Sequence, residues 1–309
     1  MSRHAWVVAV ALLGAALAAT GCGFGAGADV GEVSLTVTRD YGAQRLLAPV
    51  HDEATESDTV MRLLDRSADI TTRYGGGFVS SIDGLSEASR DGRRYDWFFY
   101  VDGVESSVGA ADFPLRGGDA IWWDYRAWSA AERVPAVVGS WPQPLSGGYE
   151  GKRHPVTVEC RAAGAACGLV RSRLAAAGVE AAAGAPQGAI RVLVGPWSHL
   201  RGDPAAAQLD AGPQASGVFA EFAAAPGLPG GVALRALDES GATARELGPS
   251  AGLVAATRRY GAPPVWLVTG ATTAATRAAA GLLDAAHLRD HYAVAIENGR
   301  ETPLPLGER

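Results

Sequence analysis

Lysine is almost missing from this chain of 309 residues: Lys152 is the only one, and arginine supplies the rest of the basic charge. Basic residues number 27 against 33 acidic ones, which leaves a net charge of −6. A protein that binds nucleic acid regardless of sequence needs a basic face that displaces counterions, so we expect no nucleic-acid partner. The 40 glycines follow no Gly-X-Y repeat, which excludes collagen. Hydrophobic residues at 48% exclude wholesale disorder, and the length predicts two domains.

The N-terminal apolar run is too short to cross a bilayer, which takes about 20 consecutive apolar residues. It extends from Trp6 to Leu17, follows two cationic residues and leads through small residues to Cys22. This order is typical of a secretory signal. We therefore predict a signal peptide over residues 1–22.

The small-residue stretch that ends at Cys22 resembles the bacterial lipoprotein signal, in which this cysteine becomes the lipid-bearing N-terminus. The sequence departs from the usual pattern because Ala19, not leucine, stands three places before Cys22. The resemblance implies a lipid anchor that holds the protein on the extracytoplasmic face of the cell membrane. Ordinary secretion with a free Cys22 is the alternative. The glycine-rich residues 23–30 are predicted to form a flexible tether.

Cysteine is scarce as well, with Cys22, Cys160 and Cys167 the only three. An odd count in an exported protein needs an explanation, and lipidation of Cys22 supplies one. The other two stand seven positions apart around the flexible segment RAAGAA, and an oxidising compartment favours a disulfide between them. A metal pair is the rival interpretation, but the spacing is not CxxC and no nearby histidine joins them.

Residues 31–131 alternate between strand and helix signals, which indicates a small sheet packed on one helix. Val33 to Thr38 alternates apolar and polar residues, as a half-buried strand does. Asp58 precedes a helical apolar pattern as its N-cap, and Asp102-Gly103 predicts a tight hairpin turn. The remaining strands are predicted at Phe78–Ile82, Trp97–Val101 and Ala120–Tyr125.

Aromatic residues crowd the last two of these strands. Because successive side chains of a strand point to opposite faces, Trp97 and Phe99 share one face while Phe98 and Tyr100 share the other. We predict that Trp97 and Phe99 belong to the core, and that the face with Tyr100 is surface or ligand contact. The two adjacent tryptophans of the following strand, Trp122 and Trp123, also point to opposite faces, so at most one is expected to be buried by the helix.

The segments TVMRLLDRSA, GGGFVSSIDGL and YDWFFYVDGVESSVGAADFPLRGGDAIWWDYRAW together resemble the C-terminal β-domain of transcobalamin and intrinsic factor. They also resemble a bacterial domain family of unassigned function that shares this β-domain. The resemblance covers about a quarter of the chain. It implies a β-grasp-like fold with a hairpin, residues 97–113, that closes over a corrinoid. The residues then expected to contact the ligand are Phe98, Tyr100, Val104, Val108 and Phe113.

The animal carriers hold cobalamin between this β-domain and a large toroid of paired helices. This sequence lacks the helical repeats of such a toroid in its second half. The resemblance therefore implies that a separate helical-toroid partner or an uptake transporter completes the site, or that the ligand differs.

Residues 132–154 are rich in proline and glycine without periodicity, and indicate a linker or an ordered crossover. Residues 155–309 alternate strands with helices, which predicts a small mixed α/β layer domain of unassigned role. Strands are predicted at Val156–Cys160, Ile190–Val194, Val218–Phe222, Val232–Leu237, Val265–Val268 and Tyr292–Ile296, and helices at Leu169–Ala177 and Thr272–Leu283. The third and fourth of these strands are expected to pair antiparallel.

Neither half shows a motif for catalysis. His287 and His291 have the spacing of two helical metal ligands but lack the acid of an HExxH site, and neither a GxSxG elbow nor a P-loop occurs. We therefore predict no enzyme, no metal and no resident cofactor. The candidates for a second binding site, just past a predicted strand end, are Gly195, Trp197, Arg201 and Asp203.

Together these patterns predict an α+β protein in which a β-grasp-like domain precedes a small mixed α/β layer domain. The resemblance implies a non-enzymatic, ligand-binding lipoprotein of the cell surface, which captures cobalamin or another corrinoid for uptake with a partner protein. The alternative is a structural or protein–protein interaction lipoprotein of the cell envelope.

Overall fold

The structure, a computed structural model, describes residues 27–90 and 92–307. The predicted signal peptide, the predicted lipid-attachment residue Cys22 and part of the predicted tether lie outside the described residues. Strands hold 41% of the chain and helices 18%, in several sheets, which confirms the predicted α+β class. Within the described ranges, no helix is both long enough and apolar enough to span a membrane.

The first half forms a mixed sheet with one crossing helix. Its elements are β1 (Asp29–Arg39), β2 (Gln44–Thr55), α1 (Val60–Ser67), β3 (Ile70–Arg73), β4 (Phe78–Ile82), β5 (Leu85–Ser86), β6 (Ala88–Arg90), β7 (Arg93–Val101), β8 (Val104–Glu105) and β9 (Ala120–Ala127). The main sheet has the order β2-β1-β9-β7-β6, and β8 pairs with β7. Its central pair, β1 and β9, is parallel. Strands β3, β4 and β5 form a separate small sheet.

All four strands predicted in this half are present, but the short strands β3, β5, β6 and β8 were not predicted, and neither was the twelve-residue β2. Its sequence mixes charges with Pro49 and lacks a clean alternation, and proline is tolerated because β2 is the edge strand. The predicted N-cap of α1 is shifted by one residue: Thr59 Oγ1 accepts from the Arg62 amide at 3.3 Å. Asp58 instead accepts the Thr55 amide at 2.9 Å and pairs with Arg66 at 2.8 Å.

The second half is built on a six-stranded mixed sheet. Its elements are β10 (Val156–Cys160), α2 (Ala165–Ala176), β11 (Ile190–Pro196), α3 (Trp197–Leu200), α4 (Pro213–Ser216), β12 (Ala220–Ala224), β13 (Val232–Leu237), β14 (Thr243–Leu247), β15 (Gly252–Arg258), β16 (Pro264–Gly270), α5 (Thr273–Gly281), α6 (Ala285–Leu288), β17 (Ala293–Glu297) and β18 (Arg300–Leu304). The sheet order is β10-β11-β16-β15-β17-β18, with β10, β11 and β16 parallel. Strands β12, β13 and β14 form a three-stranded sheet, and β12 pairs antiparallel with β13 as predicted.

The two faces of this sheet are covered differently. One face packs under α2 and α5, and its buried cluster includes Val192, Trp266 and Val170. The other face belongs to a buried cluster that continues into the first half, where Leu193 and Leu267 join the same set as Val37 and other first-sheet residues. The second half therefore covers the face of the first sheet that was predicted to be surface or ligand contact.

Trp122 and Trp123 are both buried, each only 3% exposed, because the second half covers the face of the first sheet that the helix does not. Trp123 stacks on Phe99 on one face of β9, with ring centroids 4.9 Å apart. Trp122 points the other way and meets Tyr292 of the second half at 5.3 Å. Trp97 is 5% exposed, which agrees with the prediction that it belongs to the core.

Residues 132–154 form the ordered crossover that the sequence left open against a linker. Val134, Val137 and Val138 are fully buried. The Val137 amide donates to the Gly103 carbonyl at 2.9 Å, and the Val138 amide donates to the Tyr292 carbonyl at 3.3 Å. The segment thus hydrogen-bonds to both halves at once.

Candidate functional site

A cleft of about 880 Å³ lies where the β7–β8 hairpin meets the second half. The hairpin side contributes Glu105, Ser106 and Ser107, and the crossover contributes Arg133 and Pro135. The second half contributes amides, arginines and one tyrosine, namely Gln208, Gln214, Arg258, Arg259 and Tyr260. Concave sites between structural units are where proteins most often bind small molecules, so we call this the hairpin cleft and treat it as the candidate site.

The turn that presents the hairpin follows the sequence prediction. Asp102 and Gly103 both have positive φ, 55° and 73°, as a two-residue hairpin turn of the favoured hand requires. Asp102 is only 6% exposed, and its Oδ1 accepts the Ala120 amide at 3.0 Å. Burial, followed by the nearby Asp119 carboxylate, raises the pKa of Asp102 to about 7. The hairpin is therefore fixed by a buried carboxyl group beneath its turn.

Two of the three arginines in the hairpin cleft are neutralised by carboxylates. Arg133 Nε lies 3.0 Å from Glu105 Oε2, and Arg258 Nη1 lies 2.9 Å from Glu150 Oε1. Arg259 differs: among the residues that the structure describes, no carboxylate lies within ion-pair distance of its guanidinium. The cleft thus carries one more positive charge than negative charges in a protein whose net charge is −6.

The next residue, Tyr260, adds an aromatic side chain that is 99% exposed. Both residues stand in the turn between β15 and β16, beside Gly261 with φ 70°. An exposed aromatic ring and an unpaired guanidinium at the mouth of a polar cleft suit a ligand with a flat surface and an anionic group.

The five ligand contacts predicted in the hairpin region do not form one open surface. Tyr100 has no exposed area, and its hydroxyl donates to the Tyr292 hydroxyl at 3.2 Å. Val104 and Phe113 are 3% and 6% exposed. These three side chains therefore lie in the core of the structure rather than on a surface. A buried side chain contacts a ligand only after a rearrangement.

The other two predicted contacts are accessible to different degrees. Phe98 is half-buried beneath the Arg126 guanidinium, whose Cζ lies 3.8 Å from the ring centroid. Val108 is 48% exposed, and its carbonyl accepts from Ser106 Oγ at 2.8 Å, next to the hairpin cleft. The sequence could not show that the second half would cover the Tyr100 face.

The four predicted second-site residues have separate surroundings. Trp197 is fully buried and stacks on Phe222 at 4.6 Å. Asp203 accepts from Arg191 Nη2 at 2.5 Å, in an ion-pair network at the end of β11. Arg201 is exposed, 3.7 Å from Asp210. Gly195 lines a cavity of about 270 Å³ to which Trp197, Arg201 and Asp203 do not contribute.

The predicted disulfide between Cys160 and Cys167 is confirmed. His287 Nδ1 lies 2.5 Å from Asp284 Oδ1, and Asp284 caps α6. Across residues 27–90 and 92–307, no group of three or more histidine, cysteine or acidic side chains is placed to share a metal ion.

Two residues that line the hairpin cleft were not predicted from the sequence. Arg259 and Tyr260 stand in an unremarkable turn, and only the isolated RRYG segment between two apolar runs could have signalled it. The buried Asp124 was also not predicted. A carboxylate in the middle of the apolar run IWWDY indicates a hydrogen-bonded buried acid, because such groups are rarely buried without donors.

Comparison with known proteins agrees with the predicted similarity to a domain family of unassigned function. Residues 57–127 match the family model described as Domain of unknown function (DUF4430). No curated protein matches the chain. A solved structure from Ruminococcus gnavus, described as a candidate metal-binding protein, covers 31% of this chain and 97% of its own at 19% identity. The TM-score between the two structures is 0.25.

Proposed function

We propose that this chain is a non-enzymatic ligand-binding component, lipid-anchored through Cys22 on the extracytoplasmic face of the cell membrane, whose ligand occupies the hairpin cleft. The observation that carries the proposal is the unpaired guanidinium of Arg259 beside the exposed ring of Tyr260 at the mouth of this cleft. Such a pair recognises an anionic group and a flat surface on the same molecule.

A corrinoid, the ligand that the family resemblance implies, fits these requirements. Cobalamin combines a flat macrocycle with peripheral amides and one phosphodiester, and the cleft offers an aromatic ring, side-chain amides and an arginine. The strand order β2-β1-β9-β7-β6 with a parallel central pair supports the β-grasp interpretation of the first half. Because Tyr260, which lines the hairpin cleft, is 99% exposed, a helical-toroid partner or an uptake transporter would cover the exposed side of the ligand.

The test uses the chain from residue 23 onward, dialysed with cyanocobalamin, with the visible spectrum recorded afterwards. We expect retained corrin absorbance, and binding weakened about tenfold by Arg259→Ala, because one charge-assisted hydrogen bond contributes roughly 1.5 kcal/mol. Arg201→Ala is the matched control, since Arg201 is an exposed arginine outside the cleft. No retention, alone or with a helical-toroid protein from the same genome, would contradict the corrinoid proposal.

A second candidate function, protein–protein interaction, is favoured by a separate exposed aromatic pair. Tyr74 is 87% exposed and Phe78 is 38% exposed, with ring centroids 6.2 Å apart at the β3–β4 connection. Exposed aromatic residues are typical anchors of protein interfaces. A Tyr74→Ala/Phe78→Ala variant that keeps corrin retention but loses its envelope-protein neighbours in a cross-linking experiment would support this function. Unchanged cross-links would contradict it.

A further inference from the structure

We infer that the Cys160–Cys167 disulfide is a site of thiol exchange, where a small-molecule thiol forms a reversible mixed disulfide with Cys160 and Cys167 departs as a thiolate. The bond joins the carboxyl end of β10 to the first turn of α2, with Cα atoms 5.9 Å apart. It lies outside the hairpin cleft and is independent of the proposed function.

The two cysteines differ in accessibility, which determines the sulfur that is attacked. Cys160 is exposed, whereas Cys167 is 7% exposed. The residues between them are mostly alanine and glycine, whose side chains are too short to shield Cys160. Since exchange requires access to the attacked sulfur, the incoming thiolate meets Cys160, and Cys167 becomes the leaving group.

The surroundings of Cys167 favour its departure as a thiolate. It is the third residue of the twelve-residue helix α2, whose N-cap Gly164 offers no side-chain acceptor. Free amides at a helix N-terminus stabilise a thiolate and lower the pKa of its thiol. Cys167 also lines a cavity of about 270 Å³ together with Thr273 and Arg277. A thiol of low pKa leaves more readily.

Arg171 places a positive charge beside the sulfur that is attacked. Its Nη1 lies 3.5 Å from Cys160 Sγ, and its Nη2 donates to the Val158 carbonyl at 3.4 Å. Within the described part of the chain, no carboxylate forms an ion pair with Arg171. Its charge is therefore available to attract an anionic thiolate and to stabilise the Cys160 thiolate after full reduction.

The exchange balances without an external oxidant. The sulfur of RS⁻ bonds to Cys160 Sγ, the S–S bond breaks, and its electron pair passes to Cys167 Sγ, which equilibrates with solvent protons. The sum is RSH plus the protein disulfide giving RS–S–Cys160 plus the Cys167 thiol. Attack by Cys167 on the mixed disulfide reverses the step, while a second RSH releases RSSR and leaves the protein as a dithiol.

The test incubates the oxidised chain from residue 23 onward with glutathione as the probe thiol, under native conditions. After an acid quench, free thiols are alkylated and the peptides are identified by mass spectrometry. We expect a glutathione adduct on Cys160 and alkylation on Cys167. The initial rate should fall several-fold in Arg171→Ala and recover in Arg171→Lys. Arg300→Ala is the matched control, an exposed arginine on β18 at the opposite edge of the same sheet.

Three results would overturn the inference. One is a disulfide that reacts only after urea denaturation, as a purely structural bond does. Another is an equal rate in Arg171→Ala and Arg300→Ala. The third comes from Cys160→Ala, checked for native circular dichroism: if Cys167 alkylates with a pKa at or above the ordinary value of about 8.5, then α2 does not stabilise the leaving thiolate.

Discussion

The hydroxyl of Tyr292 donates a hydrogen bond to Asp124 Oδ2 at 2.9 Å and thereby joins β17 of the second half to β9 of the first. Asp124 has no exposed area, and its Oδ1 accepts from Thr38 Oγ1 at 2.5 Å and from the Gly42 amide at 3.1 Å. Burial raises the pKa of this carboxyl, although all three donors oppose the shift. A buried carboxyl with three donors is tolerated, whereas one that loses a donor is costly.

We therefore expect Tyr292→Phe to lower the free energy of unfolding by about 1–3 kcal/mol, because it removes one donor from Asp124 while keeping the ring contacts. Urea denaturation at pH 7 measures this. Tyr260→Phe is the control, since the Tyr260 side chain is 99% exposed and its loss of a hydroxyl should cost less than about 0.5 kcal/mol. Equal midpoints for the two variants would contradict a stabilising role of the bond.

The two halves of the protein approach each other closely at Gly42. Its φ is +82°, and a Cβ at this position would lie 1.8 Å from the Asp290 carbonyl oxygen of the second half. Gly42→Ala should therefore cost more than about 2 kcal/mol, through a backbone clash in addition to the strain of positive φ. Gly84→Ala has φ +78° and open space, so its cost should reflect the strain alone, about 1 kcal/mol. Thermal unfolding of the Gly42→Ala and Gly84→Ala variants separates the cost of the clash from the cost of positive φ. Similar losses of stability in the two variants would mean that the halves separate easily at Gly42.

Arg126 supports the same junction from the same face of β9 as Asp124, two residues farther along the strand. Its Nη1 donates to the Ala131 carbonyl at 2.8 Å, and its guanidinium covers the Phe98 ring. We expect Arg126→Ala to destabilise the protein by about 3 kcal/mol, because buried carbonyls lose their donor. Arg94→Ala removes an exposed arginine at the same 3.8 Å from the Trp128 ring, so it should cost under about 1 kcal/mol. Chemical denaturation measures both free energies of unfolding. Equal losses of stability in Arg126→Ala and Arg94→Ala would contradict a stabilising role of Arg126 at this junction.

Asp102 should make stability depend on pH. Its pKa is about 7 in the folded protein and near the ordinary 3.8 when unfolded. Between these values the folded state keeps a proton that the unfolded chain has lost, so the free energy of unfolding falls as pH rises through this window. The slope is at most about 1.4 kcal/mol per pH unit.

Asp102→Asn should remove this slope, because asparagine stays neutral, accepts the Ala120 amide and tolerates positive φ. The variant should match the parent near pH 4 and exceed it in stability at pH 8, as measured by urea titrations across the range. Asp112→Asn, an exposed acid of the same segment, should leave the profile unchanged. A parent profile that is flat from pH 4 to 8 would refute the buried-carboxyl account.

Local patterns in the sequence were enough for β1, α1, β4, β7 and β9 of the first half and for the disulfide. Alternating apolar residues predict β1, β7 and β9, and Asp102-Gly103 predicts its turn, because these features depend on neighbours a few residues apart. Cys160 and Cys167 are close in sequence, so their pairing needed little knowledge of the fold. The edge strand β2 lacked such a pattern and was not predicted, and the short strands β3, β5, β6 and β8 were not predicted either.

Contacts between distant residues decided the rest. The burial of Tyr100 and Trp122 follows from Tyr292, which lies 168 positions beyond Asp124 and covers their face of the sheet. The hairpin cleft unites Ser106 with Arg259, two residues that no periodicity links. A strand's alternation shows which side chains share a face but not what covers that face, because the covering partner is selected by packing across the whole chain.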